Sequence, residues 1–213
     1  MQCAGILLTG GASSRMGADK ASLPTPGPGP GPGPGLGRVT LARRAAAVLT
    51  AVAAPVIEVG PGRAGIASVA DDLPGGGPLA AVARGLHTLD LPDRAVIVLA
   101  CDMPLVTVEL LTWLAVHPSA GSVVPLAGSP LRAQTLCARW SPEAQRRVHL
   151  LVGAGERSMR ALLDDLPAAD LTRPRPEEWG PAAGWPREHA LDDADTPEDI
   201  ERIRALMRSR PGP

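Results

Sequence analysis

The chain has 213 residues, with 24 Gly, 24 Pro, four Trp and neither Phe nor Tyr, and 45% of it is hydrophobic. That content suffices for one full core, since single domains run to about 200–250 residues, so one domain over 1–213 is expected, with a core built from aliphatic side chains. The 21 basic residues are 20 Arg and a single Lys; against 22 acidic residues they leave a formal charge of −1, which argues against nucleic acid or anionic membrane as a partner.

The N-terminal MQCAGILLTGG has no basic leader region, and its apolar run is too short for a signal segment or a membrane span. Three cysteines without framework spacing suit a reducing compartment, so a cytoplasmic location is expected. Residues 3–9, CAGILLT, read as a buried strand stopped by glycines. A small, polar loop follows over 10–20. Residues 24–37 then alternate Gly and Pro, which denies regular hydrogen bonding and favours extended chain. They read as a disordered or extended surface insert inside the domain, not as a boundary.

Residues 40–53 place Leu41, Ala45, Val48, Leu49 and Val52 on one helical face behind Thr40 as N-cap. Short strands are expected at 55–60 and 66–70, and a Gly-rich loop then feeds a helix carrying Leu79, Val82, Ala83 and Leu86. AVIVLA at 95–100 is a continuous apolar run of the kind found in sheets covered on both faces. A helix at about 107–117, two strands in SVVPLA and LRAQTLCA, helices at about 142–152 and 157–166, and a last helix from Thr196 complete the pattern. Strand and helix alternate throughout, which predicts an α/β fold with a mostly parallel sheet.

Three segments carry chemistry. The loop Leu8–Lys20, LTGGASSRMGADK, follows the first strand, at the sheet edge where open α/β folds bind ligands. Gly10 and Gly11 allow a sharp bend that exposes backbone N–H groups, and Ser13 and Ser14 add donors. Arg15 and Lys20 offer two positive charges to a polyphosphate. The plain alternative is a Gly-rich turn with solvated charges. The spacing fits neither the G-K-[ST] phosphate loop nor the G-x-G-x-x-G dinucleotide fingerprint.

Asp102 directly follows the strand at 95–100 and precedes Met103-Pro104. Facing a polyphosphate, its natural partner is Mg2+, which takes few protein carboxylates and completes its shell with phosphate oxygens and water; otherwise it caps the next turn. Asp71 and Asp72 precede GGGPLAAV, where glycines open a helix and permit close ligand approach. An Asp there can accept two N–H donors from a guanine edge, or can be a solvated loop charge. The four histidines show no metal-ligand spacing. Trp113 is expected in the core, and the purpose of the Pro-rich loop 173–187 with Trp179 and Trp185 is open.

Taken together, LTGGASSRMGADK, DD…GGGPLAAV and ACDMP resemble the molybdenum cofactor guanylyltransferases and their MobA-like relatives. AQTLCARW at 133–140, GAGERSMRALL at 153–163 and DADTPEDI at 193–200 extend the resemblance along the chain. It implies a Rossmann-like, GT-A-like nucleotidyltransferase fold, a three-layer sandwich around a mostly parallel sheet. It further implies transfer of GMP from GTP to the phosphate of molybdopterin, with pyrophosphate released. Carried over by position, Leu8, Thr9, Gly10 and Gly11 would touch the nucleotide and Lys20 its phosphates. Asp72 would read the base, and Asp102 would hold both nucleotide and Mg2+. Apart from this carry-over, which of Asp193 and Asp195 supports the metal is left open. Arg15, Lys20 and Asp102 are the catalytic candidates. The pair Gly10-Gly11 favours GTP.

Four features depart from the family pattern, one of them the Gly-Pro tract in place of a shorter connection that often bears Lys. Thr9 replaces the usual Ala, Val59-Gly60 replaces a strand end that often carries Asn, and Asp195-Thr196-Pro197 is closer to the cytidylyl relatives. Cytidylyl transfer, another nucleotidyltransferase acceptor, or a non-catalytic cofactor-delivery role are the alternatives. Molybdoenzymes or their chaperones are candidate partners.

Overall fold

The computed structural model describes residues 3–10, 20–25, 39–73, 75–179, 187 and 189–209. Four strands form the parallel half of the sheet: β1 (Ala4–Leu8), β2 (Val56–Val59), β3 (Ser68–Val69) and β4 (Val96–Ala100). The remaining strands are β5 (Ser122–Val123), β6 (Leu126–Ala127), β7 (Arg132–Ala133), β8 (Cys137–Trp140) and β9 (Leu171–Thr172). The main sheet has the order β3-β2-β1-β4-β8-β5-β9, and β8 runs antiparallel to both its neighbours. The expected mostly parallel sheet is thus present, with β8 as its one reversed strand. Strands β6 and β7 pair separately as a small antiparallel ribbon.

The described residues form six α-helices, α1 (Leu41–Thr50), α2 (Pro78–Leu89), α3 (Val108–Val116), α4 (Pro142–Gly153), α5 (Met159–Asp165) and α6 (Pro197–Ser209), of which the first five cover the sheet and α6 packs with Leu41 and Leu105. One buried cluster joins α1 and α3 to one face of the sheet; a second joins α2, α4 and α5 to the other. This is the three-layer arrangement expected, and it explains why β1 and β4 are buried along their whole length. The core is aliphatic apart from Trp140 and Trp179. The cap expected at Thr40 forms, and Ser141 and Thr107 act in the same way: each accepts a backbone N–H of the first turn of the helix it opens. At α6, Thr196 and Asp199 exchange hydrogen bonds as a capping box.

Two segments differ from expectation. SVVPLA is two strands, because Pro125 separates β5 from β6; LRAQTLCA divides into β7 and the start of β8. Trp179, which the sequence left without a role, is 2% exposed, donates from Nε1 to the Pro174 carbonyl and lies 6.4 Å from the Trp113 ring. Trp185 lies outside the described residues. The ends of the Gly/Pro insert are held together: Thr25 N–H donates to the Val39 carbonyl at 2.8 Å, and Pro24 bridges Thr40. The insert thus leaves and rejoins the fold at one point. No helix among the described residues is long and apolar enough to cross a membrane.

Candidate active site

Parallel pairing decides where the candidate residues meet. Leu8 stands in register with Ala100 on one side and Val59 on the other. Thr9-Gly10, Cys101-Asp102 and Gly60 therefore leave the sheet side by side at one edge. Backbone bonds continue the register past the strand ends: Cys101 N–H donates to Leu8 O at 3.0 Å, and Thr9 N–H to Val59 O at 3.1 Å.

Lys20 opens a short 3-10 turn over Lys20–Ser22. Its ammonium is ion-paired to Asp195 and lies 3.8 Å from Asp102 Oδ2. The closing segment 193–195 is laid directly on Asp102, since Ala194 N–H donates to the Asp102 carbonyl at 2.8 Å. The flanks of that segment are fastened by Arg202, which binds Asp192 on one side and Asp199 on the other. His189 contributes through Nδ1 to Asp192, at 3.0 Å. On the opposite side, Arg44 of α1 donates to the carbonyls of Pro104 at 2.6 Å and Val106 at 3.1 Å. That contact holds the turn after Asp102.

The Asp102 side chain is 27% exposed. Burial pushes its carboxyl above the ordinary range; Lys20 pulls it down, while Asp195 and Asp193 push it up again. Asp193 is raised for the same reasons, partial burial first and then Asp195 and Asp199. Three acids thus share this corner with one lysine. Among the described residues no three His, Cys, Asp or Glu side chains form a ready-made metal cage. That is compatible with Mg2+, which is held by one or two carboxylates and completed by substrate phosphates. A crowded acid such as Asp102, denied full solvation and facing like charges, suits a hard divalent cation.

The other candidates fall differently. Leu8 is buried in the face covered by α2. Thr9 is 7% exposed, and its hydroxyl donates to Glu58 Oε1 at 2.5 Å, so its side chain turns inward rather than towards a ligand. Gly10 is exposed at the edge. Gly11 and Arg15 lie outside the described residues. Asp72 stands at the same edge beyond β3, and its Oδ2 lies 3.1 Å from Arg84 Nε. Both groups border a cavity of about 210 Å3 with Asp71, Leu73, His87 and Val152. None of Lys20, Asp102 and Asp195 lines it. The close approach expected at the α2 N-terminus is made at Gly77 by protein: a Cβ there would meet the Arg157 carbonyl at 2.6 Å, at φ +82°.

Two residues with clear roles escaped the sequence reading. Arg44 looked like one more helix arginine, and nothing local marks its reach to Pro104. Glu58 did leave a signal, a lone acid inside the apolar strand VIEV.

The parallel edge of this α/β sheet thus gathers Lys20, Asp102 and Asp195, with Gly10 exposed at the same edge. The model of the MobA-like NTP transferase domain matches residues 5–173, and the chain belongs to that family. A "Probable molybdenum cofactor guanylyltransferase" from Mycobacterium tuberculosis (strain ATCC 25618 / H37Rv) is 41% identical over 179 residues, covering 80% of this chain and 82% of the relative. Its counterpart in Mycobacterium avium (strain 104) is 37% identical over 183 residues, covering 82% and 87%. Among solved structures, molybdopterin-guanine dinucleotide biosynthesis protein A from Archaeoglobus fulgidus superposes with a TM-score of 0.71 at 17% identity, over 97% of this chain and 99% of that one. The 2-C-methyl-D-erythritol 4-phosphate cytidylyltransferase from Thermus thermophilus superposes at 0.64 and 19% identity, over 98% and 100%. The fold is thus shared by a molybdopterin-guanine dinucleotide biosynthesis protein and a cytidylyltransferase and does not by itself choose the base.

Proposed function

We propose that this chain transfers GMP from GTP to the terminal phosphate of molybdopterin, forming the guanine dinucleotide cofactor and releasing pyrophosphate. The observation that carries this reading is the 41% identity, over four-fifths of the chain, to proteins named as molybdenum cofactor guanylyltransferases. The pair Gly10-Gly11 supports the same base.

In this reading a phosphate oxygen of molybdopterin attacks the α-phosphorus of GTP. The bond from the α-phosphorus to the bridging oxygen breaks, and pyrophosphate leaves with that electron pair. Such a reaction needs little covalent help; positioning and neutralisation of charge lower the barrier. Lys20 takes the β- and γ-phosphates by exchanging Asp195 for phosphate oxygens, and Arg15 adds a second cation from the same loop. Asp102 would hold Mg2+, with Asp193 or Asp195 beside it, and the cation supplies neutralisation of the α-phosphate. Gly10 would offer its backbone N–H to the nucleotide, with Gly11 next to it in sequence. Asp72 would accept the donors of the guanine edge once it parts from Arg84. Asp72 is 62% exposed, whereas Arg84 is 32% exposed with its Nε buried, so a guanine edge has to compete with this ion pair. A cytoplasmic setting agrees with three reduced, buried cysteines.

A second base is favoured by one observation. Asp195, the residue paired with Lys20, belongs to the Asp-Thr-Pro form of the closing motif seen in cytidylyl relatives. The deciding experiment incubates the full chain with molybdopterin, Mg2+ and each nucleoside triphosphate, reading dinucleotide product and pyrophosphate. Product with GTP in preference to CTP is expected. Product only with CTP reassigns the base, and no product with any nucleotide overturns the enzyme.

A further inference from the structure

Glu58 is the one acidic residue within β1–β4, and it is fully buried. A carboxylate is tolerated there only with its lone pairs satisfied. Oε1 accepts the Thr9 hydroxyl at 2.5 Å and the Arg63 N–H at 2.8 Å, and Oε2 accepts the Ala64 N–H at 2.9 Å. The chain after β2 thus wraps the carboxylate, and the carboxylate reaches across to the residue where the first loop begins. Gly60 closes the arrangement. A Cβ at Gly60 would lie 2.2 Å from Thr9 Oγ1 and 2.8 Å from Gly10 N, at φ +149°. The Thr9 hydroxyl fills the space that a side chain at position 60 would need.

We infer that Glu58 and Thr9 are positioning residues: a buried carboxylate–hydroxyl clamp that seats the Thr9-Gly10 backbone against Gly60 and so places that backbone for the sugar-phosphate of the nucleotide. The inference rests on the nucleotide reading of that loop given above. Neither side chain meets the substrate, because the Thr9 hydroxyl is committed to Glu58 and both residues are buried. The clamp acts on ground state and transition state alike, so its loss raises KM for the nucleotide more than it lowers kcat.

The test uses the full chain with molybdopterin and Mg2+. Wild type is first assayed with GTP and CTP, and the nucleotide it turns over serves for every variant. An error in the assigned base is then visible in wild type alone and leaves the comparison intact. Thr9→Val keeps the side-chain shape and removes the donor, Thr9→Ser restores a hydroxyl, and Glu58→Gln turns one acceptor into a donor facing an N–H. The expected result is a KM raised at least fivefold in Thr9→Val and Glu58→Gln, with a smaller fall in kcat, and a KM restored towards wild type in Thr9→Ser. If Glu58→Gln does not fold, Thr9→Val carries the test, since it leaves both backbone donors on the carboxylate. A lowered Tm with KM within twofold of wild type in Thr9→Val overturns the inference, as does equal KM in Thr9→Val and Thr9→Ser. A wild type that binds no nucleotide overturns the proposed function and the inference with it.

Discussion

The ammonium of Lys20 lies against the carboxylate of Asp195, a residue 175 positions further along the chain. The contact joins the end of the first loop to the segment that closes the fold, and Asp102 stands 3.8 Å away on the same lysine. In a chain whose other 20 basic residues are arginines, the one lysine occupies a corner shared by Asp102, Asp193 and Asp195. A compact ammonium can trade one carboxylate for a phosphate oxygen without the fixed fork geometry of a guanidinium.

Lys20→Ala is therefore expected to lower turnover by roughly tenfold to a thousandfold, the scale of one lost transition-state charge contact. Lys20→Arg is expected to recover only part of it. Steady-state rates of dinucleotide formation decide both, and Lys20→Ala turnover within twofold of wild type excludes a role in the reaction.

Asp102 carries a stability signature. Its carboxyl is raised by burial and by Asp195 and Asp193, more than Lys20 lowers it. A carboxyl whose folded value is raised favours the folded state at low pH, and that advantage is lost as pH climbs through the folded value. Metal-free wild type should thus lose stability as pH rises above the usual carboxylate range, and Asp102→Asn should flatten that slope. At pH 7 without metal the variant should melt higher than wild type while losing most activity and its Mg2+-dependent stabilisation. Calorimetric melts across pH 4–8 read this directly, and a destabilised Asp102→Asn would make Asp102 structural.

The Thr9–Gly60 packing predicts coupled mutations. Gly60→Ala in wild type forces a Cβ into the Thr9 hydroxyl, whereas in Thr9→Ala that obstacle is gone. A double-mutant cycle by urea unfolding should show a coupling of about 0.5–3 kcal/mol, with the double variant more stable than the sum of the singles. Simple additivity would show that the two positions do not share the space.

Residues 26–38 should be dispensable. The Thr25–Val39 backbone bond brings the flanks together, so a two-residue Asn-Gly turn can replace the segment. Because loop-closure entropy changes slowly with length, stability should change by no more than about 1–2 kcal/mol, with turnover kept. A large loss of activity on this replacement would give the insert a part in the reaction.

Cys3, Cys101 and Cys137 are buried, and burial pushes the Cys137 thiol up to about 12. Thiolate is the reactive form, so native protein at pH 8 should show almost no thiol reactive to a disulfide reagent within minutes. Unfolding in guanidinium should release three.

Local patterns were legible where a short window holds all the physics. The apolar run VIVLA marks a doubly covered strand, and a hydroxyl residue followed by Pro marks the start of α4 and α6. The first loop and Asp102 were legible for a related reason: each follows a parallel strand, and parallel strands end at a common edge. Pro125 within SVVPLA was visible, but its effect was not, since a proline breaks a sheet only where a ladder bond is required.

Sequence alone thus determined the layered α/β fold, the caps at Thr40, Ser141 and Thr196, and the sheet edge where the candidate residues gather. Tertiary structure alone decided which charges meet. Asp195 reaches Lys20, Arg202 ties Asp192 to Asp199 across the closing segment, Arg44 holds the turn after Asp102, and Glu58 claims the Thr9 hydroxyl. Backbone hydrogen bonds and hydrophobic period are written at short range and survive any context. The partner of an ion or a buried carboxylate is whatever the folded chain brings within about 3 Å, and no short window contains it.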